Sequence, residues 1–366
     1  MISFLYLSKK YIKNFLLIAF ALVFTITLIT LASNQIDGFN RKVLYSFYIF
    51  EDFLQIFYPM ALVLGALLTF YQLIVNNHLL AFSSLSYKKS NLIKPFLYIS
   101  FAVYFIFLAL DFTPFAYAYS NANTILKGKE ENRVKNMFFK YNDSFVYAKS
   151  LDVVNREFKD VKIYKIKDLK LQKILDFDSA KFVKDRWIAK NVKVKTFKYN
   201  NQKPIGVEVD SRDKIEVLKG YYPRVIKLLY EGKRVDLANG IKAIALLKEQ
   251  HIDSSQVRST LYSKLLIPLI APFLILIFFS FAPLHKRVAS LGGYLFWTMG
   301  GTIVGFIVIY TLNVFSKSSA INPNYVLPVV IFVTFIYSVY LWFKKIDTWC
   351  EVKIILILLH YNTINR

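Results

Sequence analysis

The residues that could do chemistry in this chain are few and widely spaced. None of the four histidines stands in the HExxH spacing that binds zinc. They are His78, His251, His285 and His360. Cys350 is the single cysteine, so neither a disulfide nor a thiolate metal cluster can form within the chain. The sequence has no GxxxxGK[ST] phosphate loop and no GxSxG nucleophile motif. We therefore expect no metal, no cofactor and no catalytic residue. If the protein carries out a process that needs energy, a partner protein must supply that energy.

The composition is that of a membrane protein with a sizeable aqueous part. The chain has 366 residues, of which 55% are hydrophobic, whereas soluble domains contain about 45–50%. Its formal net charge is +23. In a membrane protein this basic balance favours anionic lipid or charge-directed orientation, so no nucleic-acid partner is expected. The first apolar run is too long for a cleavable signal peptide and has no clear cleavage site.

Six apolar segments are long enough for a helix to cross a bilayer, which takes about 20 residues. The predicted spans are residues 14–33, 54–75, 96–117, 265–284, 292–315 and 325–343. A long polar stretch, from about residue 120 to 263, separates the third span from the fourth. The sequence therefore predicts three spans, a large hydrophilic insertion and three further spans.

Lysines and arginines in the short loops predict the orientation. With the N-terminus inside, twelve of them lie on the cytoplasmic side and three on the other side. Cytoplasmic loops carry the excess of these residues, so both termini are predicted to be cytoplasmic. The insertion is predicted to lie on the opposite side of the membrane. The twelve are Lys9, Lys10, Lys13, Lys88, Lys89, Lys94, Lys286, Arg287, Lys344, Lys345, Lys353 and Arg366, and the three are Arg41, Lys42 and Lys317.

The insertion begins with segments of period-two alternation. Apolar or aromatic residues alternate with lysines in residues 143–151, 159–175, 186–199 and 204–218. This pattern is typical of half-buried antiparallel strands and favours a sandwich or jelly roll. The period then changes: residues 236–252 predict a helix, and the DSSQ of residues 253–256 is a capping-box pattern. The helix that it starts is predicted to run unbroken into the fourth span.

Polar and small residues within the spans are candidates for function. Asp111, near the outer end of span three, is either functional or a hydrated interfacial residue. Asn313 in span five suggests an interhelical hydrogen bond or a functional group. Gly300, Gly301 and Gly305 in the same span indicate either close helix packing or a mobile gate helix.

Two further segments suggest contacts at the membrane surface. Arg41 and Lys42 lie on the outer side, where they either meet lipid phosphates or are solvated beside Asp37. Residues 43–53 after them predict an aromatic interfacial helix. The apolar run of residues 353–360 is too short to span and indicates an interfacial or partner contact.

The half-apolar stretch NNHLLAFSSLSYKKS, which follows span two, predicts a short amphipathic helix at the cytoplasmic surface. Leu79, Phe82 and Leu85 recur at a spacing of three, with Leu80 beside them. Such a helix either rests on the bilayer or fits into a groove of a partner protein.

The order of these parts resembles the LptF/LptG permease subunits of the lipopolysaccharide exporter, over nearly the whole chain. FYPMALVLGALL resembles the second-span signature, closer to the G subunit than to the F subunit. DSFVYAKSL, KDVKIYKI and AKFVKDRWIAKNV resemble the periplasmic β domain of that family. ALLKEQHIDSSQVRSTLYSKLLIPL resembles the helical entry to span four, and LNVFSKSSAINPNYVLPVVIF the passage from span five to span six.

The resemblance implies a fold and a set of boundaries. It implies an α-helical inner-membrane protein of six spans with an inserted, jelly-roll-like antiparallel periplasmic β domain. The implied parts are residues 1–119 with spans one to three, a coupling helix near 77–87, the β domain at 120–235, a helical connector at 236–263, spans four to six at 264–345 and a cytoplasmic tail at 346–366.

The resemblance also implies partners and a mechanism without catalysis by this chain. A second LptF/LptG-type subunit, a cytoplasmic ABC ATPase dimer and a single-span subunit with its own periplasmic β domain are implied. Lipopolysaccharide or lipooligosaccharide would be extracted from the inner membrane and passed to a β-fold bridge. The implied ATPase-coupling residues are Asn77, His78, Leu79, Leu80, Phe82 and Leu85. The sequence departs from the family at His78, where a glutamate is usual, and at residues 83–86, where SSLS replaces a glycine-containing pattern.

Two alternatives stay open on the sequence. One is a membrane-bound enzyme that modifies envelope lipids, which would need converging catalytic groups. The other is an ABC permease that transmits force to a periplasmic partner without moving lipid. Bound lipid A in the purified protein would distinguish lipid transport from force transmission.

Overall fold

The computed structural model describes most of the chain. The described residues are 2–127, 133–141, 144–167, 170–184, 186–200, 203–223, 225–226, 236–249, 254–283 and 290–347. Several predictions fall outside them: the basic pair Lys286–Arg287, the start of the capping box at Asp253 and the tail beyond residue 347.

Six helices within the described residues are long and apolar enough to cross a membrane, one for each predicted span. They are Ser3–Ser33, Phe39–Val75, Lys89–Leu110, Ser255–Ser280, Leu291–Lys317 and Pro323–Ile346. Several begin well before the apolar windows, because a helix continues beyond the hydrocarbon core that hydropathy detects. The predicted interfacial helix of residues 43–53 is thus the first part of the second long helix.

The remaining helices join or extend these six. The α-helices are α1 Ile2–Ser33, α2 Phe39–Val75, α3 His78–Ser84, α4 Lys89–Leu110, α5 Ala118–Lys127, α6 Leu237–Glu249, α7 Ser255–Leu266, α8 Ile270–Ser280, α9 Leu291–Lys317 and α10 Pro323–Leu341. A 3-10 turn, Ile267–Leu269, joins α7 to α8 at Pro268. The predicted helix therefore reaches the fourth span, but it tightens where a proline removes a backbone donor. A π-helical turn, Trp342–Asp347, follows α10.

The end of the third span was predicted wrongly. Helix α4 ends at Leu110, whereas the apolar window extended to Tyr117. The chain turns at Asp111 and resumes as a 3-10 turn, Pro114–Tyr117. Proline disfavours helical geometry in the residue before it and lacks a backbone N–H, so an apolar composition alone does not extend the helix.

The insertion forms a six-stranded antiparallel sheet in its described part. The strands are β1 Arg133–Tyr141, β2 Ser144–Asp152, β3 Glu157–Lys167, β4 Lys170–Val183, β5 Arg186–Asn200 and β6 Lys203–Val217. β1 was not among the predicted strands, and the predicted strand at 159–175 divides into β3 and part of β4. Every neighbouring pair is consecutive in the chain. The predicted class of a six-span helical membrane protein with an inserted antiparallel β domain is confirmed. The described strands follow one another in up-and-down order, which differs from the Greek-key order of the expected jelly roll.

The chain divides into two compact units. The membrane unit comprises Met1–Gln35, Ile49–Phe115 and Ser259–Arg366, and the β unit comprises Ile36–Tyr48 and Ala116–Arg258. The β unit is built on one face of the sheet, where Phe158, Trp187 and Phe177 are almost fully buried. The Phe158 and Trp187 rings lie 4.2 Å apart, and Trp187 Nε1 donates to the Tyr221 carbonyl at 2.7 Å.

Candidate functional site

Helix α3 is the short helix that the apolar loop after span two predicted. It contains only His78–Ser84, and Asn77 before it has a left-handed φ of 56°. Ser86 after it is also left-handed, with a φ of 58°. Asparagine tolerates this conformation better than most residues, so the NNH sequence supports a sharp turn out of α2 and directly into α3.

The faces of α3 differ from the predicted arrangement. Leu79 is 3% exposed and belongs to the core of the membrane unit, and Phe82 packs against that core. Leu80 and Leu85 are exposed, Leu85 by 71%. The prediction of one common face for Leu79, Phe82 and Leu85 is therefore wrong: two of them anchor the helix within its own chain. The exposed leucines of this segment are Leu80 and Leu85.

His78 contacts the first helix. Its Nδ1 lies 2.9 Å from the Tyr6 hydroxyl. Lys10 Nζ lies 5.8 Å from the centre of the Tyr6 ring. A second hydrogen bond joins α1 to the segment after α3, because Ser3 Oγ donates to the Tyr87 hydroxyl at 3.3 Å. The start of α1 and the α3 region are thus linked on both sides of α3.

Asp111 is buried and takes part in an ion pair. It follows the last residue of α4 and is 8% exposed. Lys264 of α7 donates to Asp111 Oδ1. Close by on α4 and α2, Phe107 and Tyr58 stack with ring centres 3.9 Å apart. The expected hydration of Asp111 is wrong, because its carboxylate is buried and paired with a lysine.

Asn313 forms an interhelical hydrogen bond. It is 4% exposed, and its Oδ1 accepts a hydrogen bond from Ser259 Oγ at 3.0 Å. On the same helix the Tyr310 hydroxyl donates to the Ile56 carbonyl of α2 at 2.7 Å. Helix α9 is therefore held to both α7 and α2 by side-chain hydrogen bonds.

Three glycines of α9 do not pack against the part of the chain that the structure describes. A methyl group added at Gly300, Gly301 or Gly305 would meet nothing there within 4 Å. Gly65 of α2 is the opposite case, since a Cβ there would lie 2.7 Å from the Cα of Phe15. Close packing of helices is thus the role of Gly65, and the three glycines of α9 leave a shallow open surface.

Arg41 and Lys42 lie at the exposed start of α2. The Arg41 guanidinium donates to the Ile125 carbonyl of α5 at 2.6 Å. This bond fixes the direction of the Arg41 side chain, while the guanidinium retains further N–H groups for an anion.

Sequence reasoning missed the polar contacts between the first helices. Tyr11 is fully buried, and its hydroxyl donates to the Leu62 carbonyl at 3.1 Å and lies 3.0 Å from Ser100 Oγ. Asn14 Nδ2 donates to Thr69 Oγ1 at 2.9 Å. A signal was available: Asn14 is a polar residue near the start of an apolar run, and such residues usually face the helix bundle.

The described residues contain no group of three or more His, Cys, Asp or Glu side chains arranged to hold a metal ion. The sites that do stand out are α3, the open face of α9, the buried pair Asp111–Lys264 and the two cations at the start of α2.

These features define a class: a multi-pass α-helical membrane protein with an antiparallel β domain inserted between the third and fourth membrane helices. The sequence profile described as "Lipopolysaccharide export system permease LptF/LptG" matches residues 5–344. The chain belongs to this family, as its sequence predicted, although the match does not distinguish F-like from G-like members. Comparison with curated proteins gave no match.

Proposed function

We propose that this chain is a permease subunit of an ABC transporter that extracts lipopolysaccharide or lipooligosaccharide from the inner membrane and passes it to a periplasmic β-fold bridge. The observation that carries this proposal is the family match over residues 5–344, which spans all six membrane helices and the inserted sheet. The family is one of transport permeases, and we propose that a separate ATPase hydrolyses ATP while this chain catalyses no reaction.

In this proposal α3 receives the force from the ATPase. Leu80 and Leu85 offer an exposed apolar surface for a groove of the partner. Leu79 and Phe82 fasten the other side of α3 to the core. Close-packed interiors transmit displacement with little compression, so movement of α3 is passed to the membrane helices, and the Tyr6–His78 contact passes it to α1.

The second permease subunit occupies the open face of α9 in this proposal. Gly300, Gly301 and Gly305 leave room for a helix to approach closely, which is how helices associate in lipid. Exposed side chains border these glycines, including Val304 and Ile307, each 60% exposed. Because these three glycines contact nothing in the described part of the chain, a partner helix gives them a packing role that the monomer does not.

The proposed substrate combines acyl chains with phosphates. Moving acyl chains out of the bilayer exposes apolar surface, which costs about 25 cal/mol of free energy per Å². Extraction therefore needs both external energy and an apolar path. Arg41 and Lys42 are the proposed contacts for the lipid phosphates, since both are exposed cations at the start of α2. We place this end of α2 and the β unit on the periplasmic side and both termini in the cytoplasm, because the short-loop cations favour that orientation.

Copurification tests the proposal. The solubilised chain is expected to bring down an ABC ATPase and a second six-span subunit. The double variant Leu80→Asp/Leu85→Asp is expected to lose the ATPase and keep the second subunit. Val154→Asp, at a 67% exposed position of the β unit, is the matched control and should retain both partners.

Two outcomes would reject the assignment. A stable monomer that recruits no ATPase would contradict the transporter as a whole. A complete complex whose purified form contains no lipid A, and whose ATPase does not respond to added lipopolysaccharide, would favour a force-transmitting permease over a lipid exporter.

A further inference from the structure

The face of the sheet that points away from the β-unit core carries two ordered rows of side chains. Directly paired residues share a face of an antiparallel sheet, and the residues between the rows point into the core. Val146, Ile163 and Val194 are such intervening residues, each at most 3% exposed. The first row is Phe138, Tyr147, Lys162, Asp176 and Lys193, and the second is Lys140, Phe145, Tyr164, Ile174 and Lys195. We call these ten residues the outer strip.

One end of the outer strip is aromatic. Phe138 is 59% exposed, and its ring stacks on that of Phe145 with centres 5.6 Å apart and planes 8° apart. Tyr147 and Tyr164 lie next to them in the two rows and are partly exposed. The Tyr147 hydroxyl donates to Asn136 Oδ1 at 3.3 Å, which orients its ring. Solvent-facing aromatic rings in this arrangement form a flat apolar platform.

The outer strip is also cationic along its length. Among its ten residues there are four lysines and a single carboxylate, Asp176. Lys162 Nζ lies 4.0 Å from Asp176 Oδ2, so this lysine is partly neutralised. Lys140 is exposed at the aromatic end, and Lys193 is exposed at the other end. The charge balance favours an anionic ligand that also has flat apolar faces.

We propose that the outer strip binds an anionic saccharide that carries phosphate or carboxylate groups. The C–H faces of sugar rings stack on aromatic side chains, and the lysines meet the acidic groups. A flat sheet face suits ring stacking, whereas a peptide strand would add to a sheet edge. The ligand class rests on the proposed periplasmic location of the β unit. The proposed binding surface is the face of the sheet opposite to the apolar core.

The test measures binding of a deacylated, phosphorylated oligosaccharide to the full-length protein in detergent by calorimetry. Deacylation removes the acyl chains, so this binding is independent of lipid transport. Phe138→Ala is expected to weaken binding by about fivefold, in the range of one aromatic contact. Lys140→Gln/Lys193→Gln is expected to weaken it by about tenfold at low salt and less at high salt, because exposed charges are screened.

Controls separate the outer strip from general charge effects. Lys198→Gln removes an exposed lysine that pairs with Glu208 outside the outer strip, and it should leave the affinity unchanged. Phosphatase treatment of the oligosaccharide should reduce binding. Circular dichroism checks that each variant is folded, and the lysine variants test the proposal if Phe138→Ala does not fold.

Three results would overturn the inference: no binding of the oligosaccharide, equal binding by the double lysine variant, or tighter binding of single-stranded DNA, whose bases also stack on aromatic rings. Loss of oligosaccharide binding in variants that still copurify with the ATPase and the second subunit would support the outer strip and leave the transport proposal intact. Failure of copurification alone would affect only the transport proposal.

Discussion

The two units of this chain are stabilised in different ways. The β unit is built around large apolar side chains such as Trp187 and Phe158. The membrane unit has an apolar core as well, but polar contacts cross it, including Tyr11–Ser100, Asn14–Thr69 and Asp111–Lys264. In water, burial of apolar surface drives folding. In lipid that driving force is absent between helices, so close packing and hydrogen bonds determine which helices meet.

The comparison explains why similar residue types have different roles in the two units. A buried tyrosine hydroxyl in the membrane unit joins helices, as Tyr11 does with Ser100. A glycine there sets the distance between two backbones, as Gly65 does with Phe15. In the β unit, large side chains that fill the core take this role. Trp187, for example, is fully buried on one face of the sheet. The following predictions test this difference, from the largest expected effect to the smallest.

Trp187→Ala is expected to destabilise the β unit by about 3–5 kcal/mol, because it removes the largest buried ring and leaves a cavity. Hydrogen exchange followed by mass spectrometry should show faster exchange in the strands and unchanged exchange in the membrane helices. Trp187→Phe keeps most of the ring and loses the bond to Tyr221, so it should cost less. Equal exchange changes in both units would contradict the separation.

Asp111→Ala is expected to destabilise the membrane unit by about 3–5 kcal/mol, because Lys264 would remain as a buried charge without this carboxylate. Thermal unfolding in detergent measures the effect. The double variant Asp111→Leu/Lys264→Met removes both charges and should recover much of the stability. If the double variant is no more stable than the single one, the ion pair is not the cause.

Gly65→Ala is expected to cost about 1–3 kcal/mol, since the new methyl group would overlap the Phe15 backbone and force α1 away from α2. Gly301→Ala is the matched control on another membrane helix. Its methyl group meets nothing within 4 Å among the described residues, so the isolated subunit should unfold at the same temperature or higher. A similar loss of stability in both variants would show that contact with a neighbouring helix does not explain the effect of Gly65→Ala.

Ser259→Ala is expected to cost about 0.6 kcal/mol, the average for a hydrogen bond between membrane helices. A double-mutant cycle with Asn313→Ala isolates the interaction, because both residues are buried and their side chains are 3.0 Å apart. Additive effects of the two changes would mean that this bond does not hold α7 to α9.

The smallest effect concerns the pH dependence of the β unit. Desolvation acts to raise the pKa of Asp152, but hydrogen bonds from the Asn155 backbone and from Arg133 outweigh it and lower the pKa below its usual value. A lowered folded-state pKa gives stability that is present above the unfolded pKa of about 3.9 and is lost as the pH falls through the folded value. Because Asp152 belongs to a surface ion pair whose arginine is 53% exposed, the change should be below about 1 kcal/mol.

Acid titration of the strand signals measures this effect. Asp152→Asn should remove that part of the pH dependence in the acidic range, while leaving stability at neutral pH nearly unchanged. A steeper acid loss in the variant would contradict the sign.

Local regularities along the sequence were sufficient to predict the general architecture. Apolar windows located six spans, and period-two alternation located most of the sheet, since both are properties of consecutive residues. The missing strand β1 shows where this fails: in its sequence RVKNMFFKY, Asn136 has a left-handed φ of 53° that interrupts the alternation. The buried residues Val134 and Met137 are therefore three positions apart instead of two, although the pairing with β2 keeps one register throughout.

Individual residues of the candidate site were less predictable. The spacing of Leu79, Phe82 and Leu85 indicated an apolar face, yet no sequence pattern states whether that face meets a partner or the chain itself. Gly65 and the three glycines of α9 all appear in the sequence as small residues within apolar spans. They differ in whether another helix of the chain packs against them. Asp111 was recognised as unusual, but its partner Lys264 is 153 positions away in the chain.

The sequence by itself determined the family, the number of membrane helices and the insertion of a β domain, because hydropathy, periodicity and motif order are local quantities that add up along the chain. The tertiary structure alone decided the partner of each polar side chain, the side of α3 that is exposed and the glycine that is packed. These depend on which distant segments meet, and packing and hydrogen-bond geometry select those segments only when the chain is folded.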